Sequence, residues 1–403
     1  MADQWIEAAQ AAERLGVKPA TLYAYVSRGV LRRRHAPDGR RSLFNAAEIE
    51  ELARRGRPRR PPGPAELQIE SALTALAKDR PYYRGRDALD LAATSSFEDV
   101  AAWLWSGAAE PATWAPRGDG VAAAVAAQSG LPPDVLPIDR LQIIVAALAA
   151  SDPMRFQLDP PAVMATGRAL IAGMVEALPD AGAGPTTGPA PTGIADLLWG
   201  RLCPRPPSRG LERVVEAAMV LLADHELAAS TLAARVAASV RADPYAIVTA
   251  GLGVLSGPRH GGASLGVERM LAEIGEPGQV QRVIGERLRR GERIPGAGHS
   301  VYKAGDARGT HLLAMLRDAV PGHERLAVAE AVLAELKARR LPEPNVDFAV
   351  ATLTAVAGMI HGAGEAIFAV ARTAGWLAHG LEEYSGRSPI RPRAVYTGPP
   401  IPH

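Results

Sequence analysis

The 403 residues include one cysteine, Cys203. A disulfide within the chain needs two, so packing must hold the fold, and the absence of a disulfide framework fits a reducing compartment. Aromatic residues make up 5% of the chain and strand-like runs of Val, Ile and Thr are scarce, which argues against an extensive sheet. No apolar run reaches the ~18 residues of a membrane span, and the polar start lacks the apolar stretch of a signal peptide. The expectation is a mainly α-helical, cytoplasmic protein with no membrane partner, because alanine and leucine, which abound here, favour helices. No metal site is expected.

The length allows two or three domains. The net charge of +2 hides an asymmetry: residues 1–60 carry thirteen Lys and Arg against seven Asp and Glu, a local +6 that leaves the remainder at −4. A basic head on a slightly acidic body points to a polyanionic partner for the head alone.

In the head, Ile6 to Leu15 reads as a helix ended by Gly16, and Pro19 with Thr21 opens a second that runs to about Arg28 before Gly29. The intervening Gly-Val-Lys has the length of a helix-turn-helix connection. From Leu31 to Phe44, Pro37-Asp38-Gly39 predicts a tight hairpin between arms that bear Arg32, Arg33, Arg34, Arg40 and Arg41, a basic wing. Asn45 is placed to cap a third helix over Ala46 to Arg54. The string from Ala12 to Leu31 resembles the winged helix-turn-helix of the MerR and excisionase-like families. That resemblance implies double-stranded DNA as a partner, with Thr21, Tyr23, Tyr25 and Arg28 on or near the groove-facing helix and the wing arginines on phosphates. The plainer alternative makes Leu15, Leu22 and Val26 a small core and the arginines a solvated face. Residues 1–56 form this domain, 57–65 a Pro/Arg-rich linker, and 66–403 the body.

In the body, Asp224-His225-Glu226 interrupts an apolar helical run that contains Met219, Leu222, Leu227 and Leu232. Polar groups there need partners, a ligand or solvent, and a structural hydrogen bond is the ordinary explanation for His225. His260 and His299 sit in glycine-bracketed loops, Gly257-Pro258-Arg259-His260-Gly261-Gly262 and Gly296-Ala297-Gly298-His299, where the backbone can approach a ligand and imidazoles can move protons near neutral pH. His260 is expected at the start of a helix through Val267, Met270 and Leu271, facing a pocket with free backbone N–H groups. Asp347, in Asn345-Val346-Asp347-Phe348, is by itself a good helix N-cap. Arg372 lies within an apolar helix and needs an anion, whereas Arg391 and Lys303 alone would be surface residues.

Taken in order, these elements resemble the active site of the citrate synthase family, from about Leu67 to Thr397 and most closely from Ala223 to Gly398, with Tyr83-Arg84-Gly85 and Ser96-Phe97-Glu98-Asp99-Val100 as an opening segment. The resemblance implies an all-α large and small subdomain, the small one over about 267–363, which close on oxaloacetate. It implies acetyl-CoA as co-substrate and no permanently bound cofactor. Asp347 would be the base, His260 the hydrogen-bond donor to the thioester oxygen, and His299 the group that polarises the oxaloacetate carbonyl. His225, Arg308 and Arg372 would bind that substrate, Arg391 would come from the other subunit of a homodimer, and Lys303 would meet CoA phosphate. Leu222, Ser264, Ser300 and Ala307 depart from the pattern. The alternatives are a 2-methylcitrate synthase that takes propionyl-CoA, and a DNA-binding regulator whose body senses oxaloacetate or acyl-CoA.

Overall fold

The computed structural model describes residues 5–15, 17, 19–27, 30–36, 41–54, 69–77, 79–108, 112, 114–182, 192–206, 208–299, 301–302, 305–386, 388–394 and 396–398. The chain divides into two compact units, Met1–Ile69 and Glu70–His403.

In the first unit, strand β1 (Trp5–Glu7) leads into helix α1 (Ala8–Leu15), followed by α2 (Pro19–Ser27), strands β2 (Arg33–His35) and β3 (Ser42–Asn45), and α3 (Ala46–Arg54). The strands form an antiparallel sheet in the order β1-β3-β2. Sequence reading places Ile6 in the first helix, but it is a strand residue opposite Phe44. Burial against Phe44 and Leu22 overrides the local helical preference of so short a segment. Asn45 caps α3, its Oδ1 accepting from the Ala47 and Glu48 amides at 3.0 and 3.3 Å. The predicted Pro37-Asp38-Gly39 turn and the 57–65 linker lie outside the described residues.

The second unit opens with a meander that sequence reading does not anticipate: β4 (Thr74–Ala77), β5 (Arg80–Tyr83) and β6 (Arg86–Asp87), paired antiparallel in that order. Arg84 and Gly85 both have positive φ, 46° and 82°, the conformation a two-residue hairpin requires. Helices α4 (Ala88–Thr94), α5 (Phe97–Ser106), α6 (Gly118–Ala127), α7 (Pro137–Ala150), α8 (Pro160–Glu176), α9 (Ile194–Leu202), α10 (Arg209–Leu222), α11 (Ala229–Ser239) and α12 (Pro244–Leu255) follow. Next come α13 (Gly262–Glu273), α14 (Val280–Arg289), α15 (Ala307–Ala319), α16 (Glu324–Ala338) and α17 (Val346–Ala357), of which α13, α15 and α16 each pack on α17.

The last helix, α18 (Ala363–Tyr384), is the axis of this unit. It packs on α5, α8, α10, α11 and α12, and nearly every side chain from Ala363 to Gly380 is buried. Alanines and glycines let neighbours approach: a Cβ on Gly251 of α12 would lie 2.5 Å from the Trp376 indole. Among the described residues, no helix is long and apolar enough to cross a membrane.

Candidate active site

Three connections between helices bring the predicted residues together. The first follows α10 and carries His225, with Glu226 in left-handed backbone at φ 53°. The second, after α12, is a tight knot that sets His260 just before α13. The amides of His260, Gly261, Gly262 and Ala263 donate to the carbonyls of Gly257, Leu255, Gly257 and His260. These four amides are therefore not the free N–H groups expected beside His260, because the loop uses them to hold itself.

The third connection precedes α15 and carries His299. Gly296 has φ 73°, and a Cβ there would come within 2.7 Å of Val267 Cγ2, so both its conformation and its surroundings demand glycine. This loop is tied to the start of α17: the Asn345 amide donates to Gly296 O at 2.9 Å and its Nδ2 to Gly298 O at 3.0 Å. Asn345, not Asp347, caps α17, accepting from the Phe348 amide. Asp347 is thereby released from the capping role, and its carboxylate accepts from Ser264 Oγ at 2.7 Å.

His225, His260, His299, Arg308, Asp347 and Arg372 line one cavity of about 950 Å³. Leu76, Leu227, Ala228 and Phe368 add apolar wall, a mixture typical of small-molecule sites. Arg391 is exposed and does not line this cavity within one chain, and Lys303 lies outside the described residues.

The hydrogen-bond partners assign the imidazole tautomers. His299 Nδ1 accepts from the Val301 and Tyr302 amides at 3.0 and 3.3 Å, so Nε2 carries the proton. The Trp376 indole, which can only donate, gives its N–H to Ser230 Oγ at 3.3 Å, and that hydroxyl lies 2.7 Å from His260 Nε2. Among the described residues His260 Nε2 is the one acceptor within reach of the Ser230 hydroxyl, so Ser230 donates to it and Nδ1 of His260 bears the proton. Burial, reinforced by Arg372, depresses His260 to about 4. Burial with Arg308 also lowers His299, and burial with Arg308, Arg372 and His299 holds His225 well below its ordinary value. All three are neutral at pH 7. Burial raises Asp347, an effect that its bond from Ser264 only partly offsets.

The arginines differ. Arg308 is buried and chelated by Asp306, Nε and Nη2 donating to its two oxygens at 3.0 and 2.8 Å. Although burial opposes the charge, Asp306 outweighs it and raises the Arg308 pKa. Arg372 donates Nε to Leu222 O at 2.7 Å and stacks over Phe368 at 4.6 Å. Among the described residues, its Nη atoms have no hydrogen-bond partner. Burial brings its pKa down to about 10. An anion in the cavity would complete it.

Sequence reading misses two residues of the site. Ser230 carries no signal in an alanine-rich helix start. Tyr302, three residues after His299, carries no signal of its own in the sequence; its hydroxyl is 2.8 Å from His225 Nε2 and its ring lies 4.6 Å from that of His299. Among the described residues, no group of three His, Cys, Asp or Glu side chains is placed to hold a metal.

In the first unit, Tyr25 packs against the small core and Thr21 is half-buried, while Tyr23 is exposed. Arg32 pairs with Glu48 and Arg41 with Glu7, and the guanidinium groups of Arg33 and Arg34 lie 5.8 and 4.3 Å from the rings of Tyr23 and Trp5. Arg28 and Arg40 lie outside the described residues.

Residues 66–393 match the model of the citrate synthase C-terminal domain, and residues 5–57 that of a helix-turn-helix domain. The chain belongs to the citrate synthase family. It is 42% identical over 214 residues to citrate synthase 2 of Bacillus subtilis, covering 51% of this chain and 56% of that one. It is 30% identical over 356 residues to 2-methylcitrate synthase of Mycobacterium tuberculosis, covering 81% and 88%. The citrate synthase of Thermotoga maritima superposes with a TM-score of 0.69 at 26% identity, covering 84% of this chain and 96% of that one. The Thermoplasma acidophilum citrate synthase in ternary complex with carboxymethyl coenzyme A and oxaloacetate gives 0.68 at 26% over the same shares. The mainly helical fold is that of citrate synthases, preceded by a helix-turn-helix domain.

Of the departures from the family pattern, Ser264 orients Asp347 and Leu222 gives its carbonyl to Arg372. Ala307 opens α15 behind Asp306, whose side chain accepts from the Arg308 amide at 3.1 Å, and Ser300 lies outside the described residues.

Proposed function

We propose that this protein condenses acetyl-CoA with oxaloacetate and hydrolyses the resulting citryl-CoA to citrate and CoA. The observation that carries this reading is the convergence on one cavity of a desolvated carboxylate and two neutral imidazoles whose protonated nitrogens differ. Removing a proton from a thioester methyl and polarising a ketone are separate tasks that need separate groups.

Asp347 takes the methyl proton. Its pKa, raised by burial, makes its carboxylate a stronger base than that of an ordinary aspartate. His260 Nδ1–H donates to the thioester oxygen as negative charge gathers there, and a neutral imidazole already oriented by Ser230 does so without reorganisation. The new carbon–carbon bond forms between the enol carbon and the oxaloacetate ketone carbon. His299 Nε2–H supplies a hydrogen bond, and then the proton, to that ketone oxygen. Arg372 and Arg308 hold substrate carboxylates, with His225 beside them. Water then cleaves the thioester, giving a carboxylate, the CoA thiol and a proton.

A homodimer in which Arg391 of the partner completes the carboxylate site accounts for an arginine that one chain leaves exposed. Lys303 is proposed to meet CoA phosphate. Propionyl-CoA is the alternative donor, since one methylene changes binding by only ~1–3 kcal/mol. Purified protein with oxaloacetate should release CoA thiol from acetyl-CoA, and from propionyl-CoA if it is a 2-methylcitrate synthase. Release from neither would move the body from enzyme to sensor.

The helix-turn-helix unit is proposed to bind duplex DNA, supported by the local charge of +6 over residues 1–60. Since Arg32 and Arg41 already meet carboxylates, phosphates must compete with Glu48 and Glu7 for them. Binding should weaken steeply with salt, and a complex indifferent to salt would overturn it.

A further inference from the structure

Asp224 precedes His225, and though it does not line the cavity, its carboxylate is fully buried. A buried carboxylate without several donors is costly. Here two donors reach Oδ2 from two directions, while Oδ1 has no hydrogen-bond partner among the described residues. Thr74 Oγ1 donates to Oδ2 at 2.5 Å, while the Tyr83 hydroxyl lies 3.0 Å from the Asp224 carbonyl and 3.1 Å from those of Val220 and Leu221. Thr74 and Tyr83 are directly opposite in the β4–β5 register. One cross-strand pair therefore grips one residue by its side chain and its backbone.

On the other side His379 Nε2 sits 3.3 Å from Oδ1 and 3.4 Å from Oδ2. Its Nδ1 faces Arg235 Nη1 at 2.9 Å and must accept, since arginine only donates, so Nε2 carries the proton toward Asp224. Arg235 is held by Glu382 and Glu383, and Glu382 also accepts from the Ala72 amide at 2.8 Å. Ala72 lies two residues before Thr74, so backbone joins these contacts into a ring from Asp224 through Thr74, Ala72, Glu382, Arg235 and His379. Burial opposes ionisation of Asp224, but His379, Arg372 and the Thr74 hydroxyl outweigh it. Its charge acts on Arg372, the guanidinium whose Nη atoms have no hydrogen-bond partner among the described residues.

We propose that Thr74, Tyr83 and His379 form a positioning clasp that fixes Asp224 behind the cavity, Thr74 and His379 by its carboxylate and Tyr83 by its backbone carbonyl, and so sets His225 and Arg372 in the geometry that captures a 2-oxo dicarboxylate. This rests on the reading of the cavity as an oxaloacetate site. None of the three lines the cavity, so the clasp governs capture of the substrate and leaves the chemical step to Asp347, His260 and His299.

The test is the full-length protein with Thr74→Val, which keeps the shape and removes the donor, beside Thr74→Ser, which keeps the hydroxyl. Oxaloacetate affinity is measured by calorimetry without acyl-CoA, and KM and kcat by CoA release. For Thr74→Val the oxaloacetate Kd and KM should rise about 10-fold, the net effect of a buried charged hydrogen bond, with kcat and the acyl-CoA KM little changed. Thr74→Ser should restore both. Tyr83→Phe removes the other hydroxyl and should show the same split, so the clasp stays testable if Thr74→Val does not fold. Unchanged oxaloacetate affinity in folded variants, a fall in kcat at constant KM, or no rescue by serine would overturn the clasp. A wild-type protein that does not bind oxaloacetate would instead overturn the reading of the cavity.

Discussion

Replacing Ser230 with alanine removes one oxygen and leaves two nitrogens without partners, the Trp376 indole Nε1 and His260 Nε2, in a site where Ser230 itself is fully buried. His260 then loses the donor that keeps its proton on Nδ1. The other tautomer becomes accessible, and the molecules that adopt it present a lone pair, not an N–H, to the thioester oxygen. Leaving a buried hydrogen-bonding group unsatisfied costs about 1–3 kcal/mol. If the whole cost falls on the transition state, kcat/KM for the acyl-CoA drops roughly 5- to 150-fold. Oxaloacetate binding should hold, because neither Arg308, Arg372 nor His225 is hydrogen-bonded to Ser230. The assay is thiol release with each substrate varied in turn. Wild-type kcat/KM for the acyl-CoA in Ser230→Ala, or weaker oxaloacetate binding with acyl-CoA kinetics intact, would refute the tautomer argument.

The kcat profile should lose activity on the acid side as Asp347 takes a proton, at a pH above the ordinary aspartate range, with no limb near 6.5 because the three site imidazoles are all depressed; a limb centred near 6.5 would contradict this. The same imidazoles accept protons near 6.5 when unfolded and resist when folded, so stability should fall as pH drops below that value and go on falling to about 4 for His260, as pH-dependent denaturant midpoints would report. Coexpressed His299→Ala and Arg391→Ala chains, each inactive alone, should regain about a quarter of wild-type activity, since random pairing leaves one intact site in half of the dimers; no recovery would place Arg391 outside the shared site. Gly251→Ala should lower the denaturant midpoint by about 1–3 kcal/mol of stability, because its Cβ would collide with the buried Trp376 ring; an unchanged midpoint would mean that the ring yields without cost.

Much of the site was legible because its chemistry demands residue types that are rare in an alanine-rich helical chain. A histidine between glycines, or an arginine within Phe368 to Trp376, is conspicuous against that background, and helices over Ala46 to Arg54 and onward from Val214 follow from capping and apolar spacing. What stayed hidden was set by distant contacts. Thr74 and Tyr83 form strands only because β4, β5 and β6 pair and their hydroxyls find Asp224 and its neighbouring carbonyls. Ile6 leaves the helical pattern to pair with Phe44. The N-cap of α17 is Asn345, and only the structure separates it from Asp347, two residues away, and so frees that carboxylate for the cavity.

The proposed chemistry depends on Asp347 as the base. With Asp347→Ala, calorimetry should record oxaloacetate binding close to wild type while CoA release from acetyl-CoA and propionyl-CoA falls by several orders of magnitude. Turnover near wild type in that variant would contradict the assignment, because among the described residues the other carboxylate that lines the cavity is Glu226, which adjoins His225 and not His260.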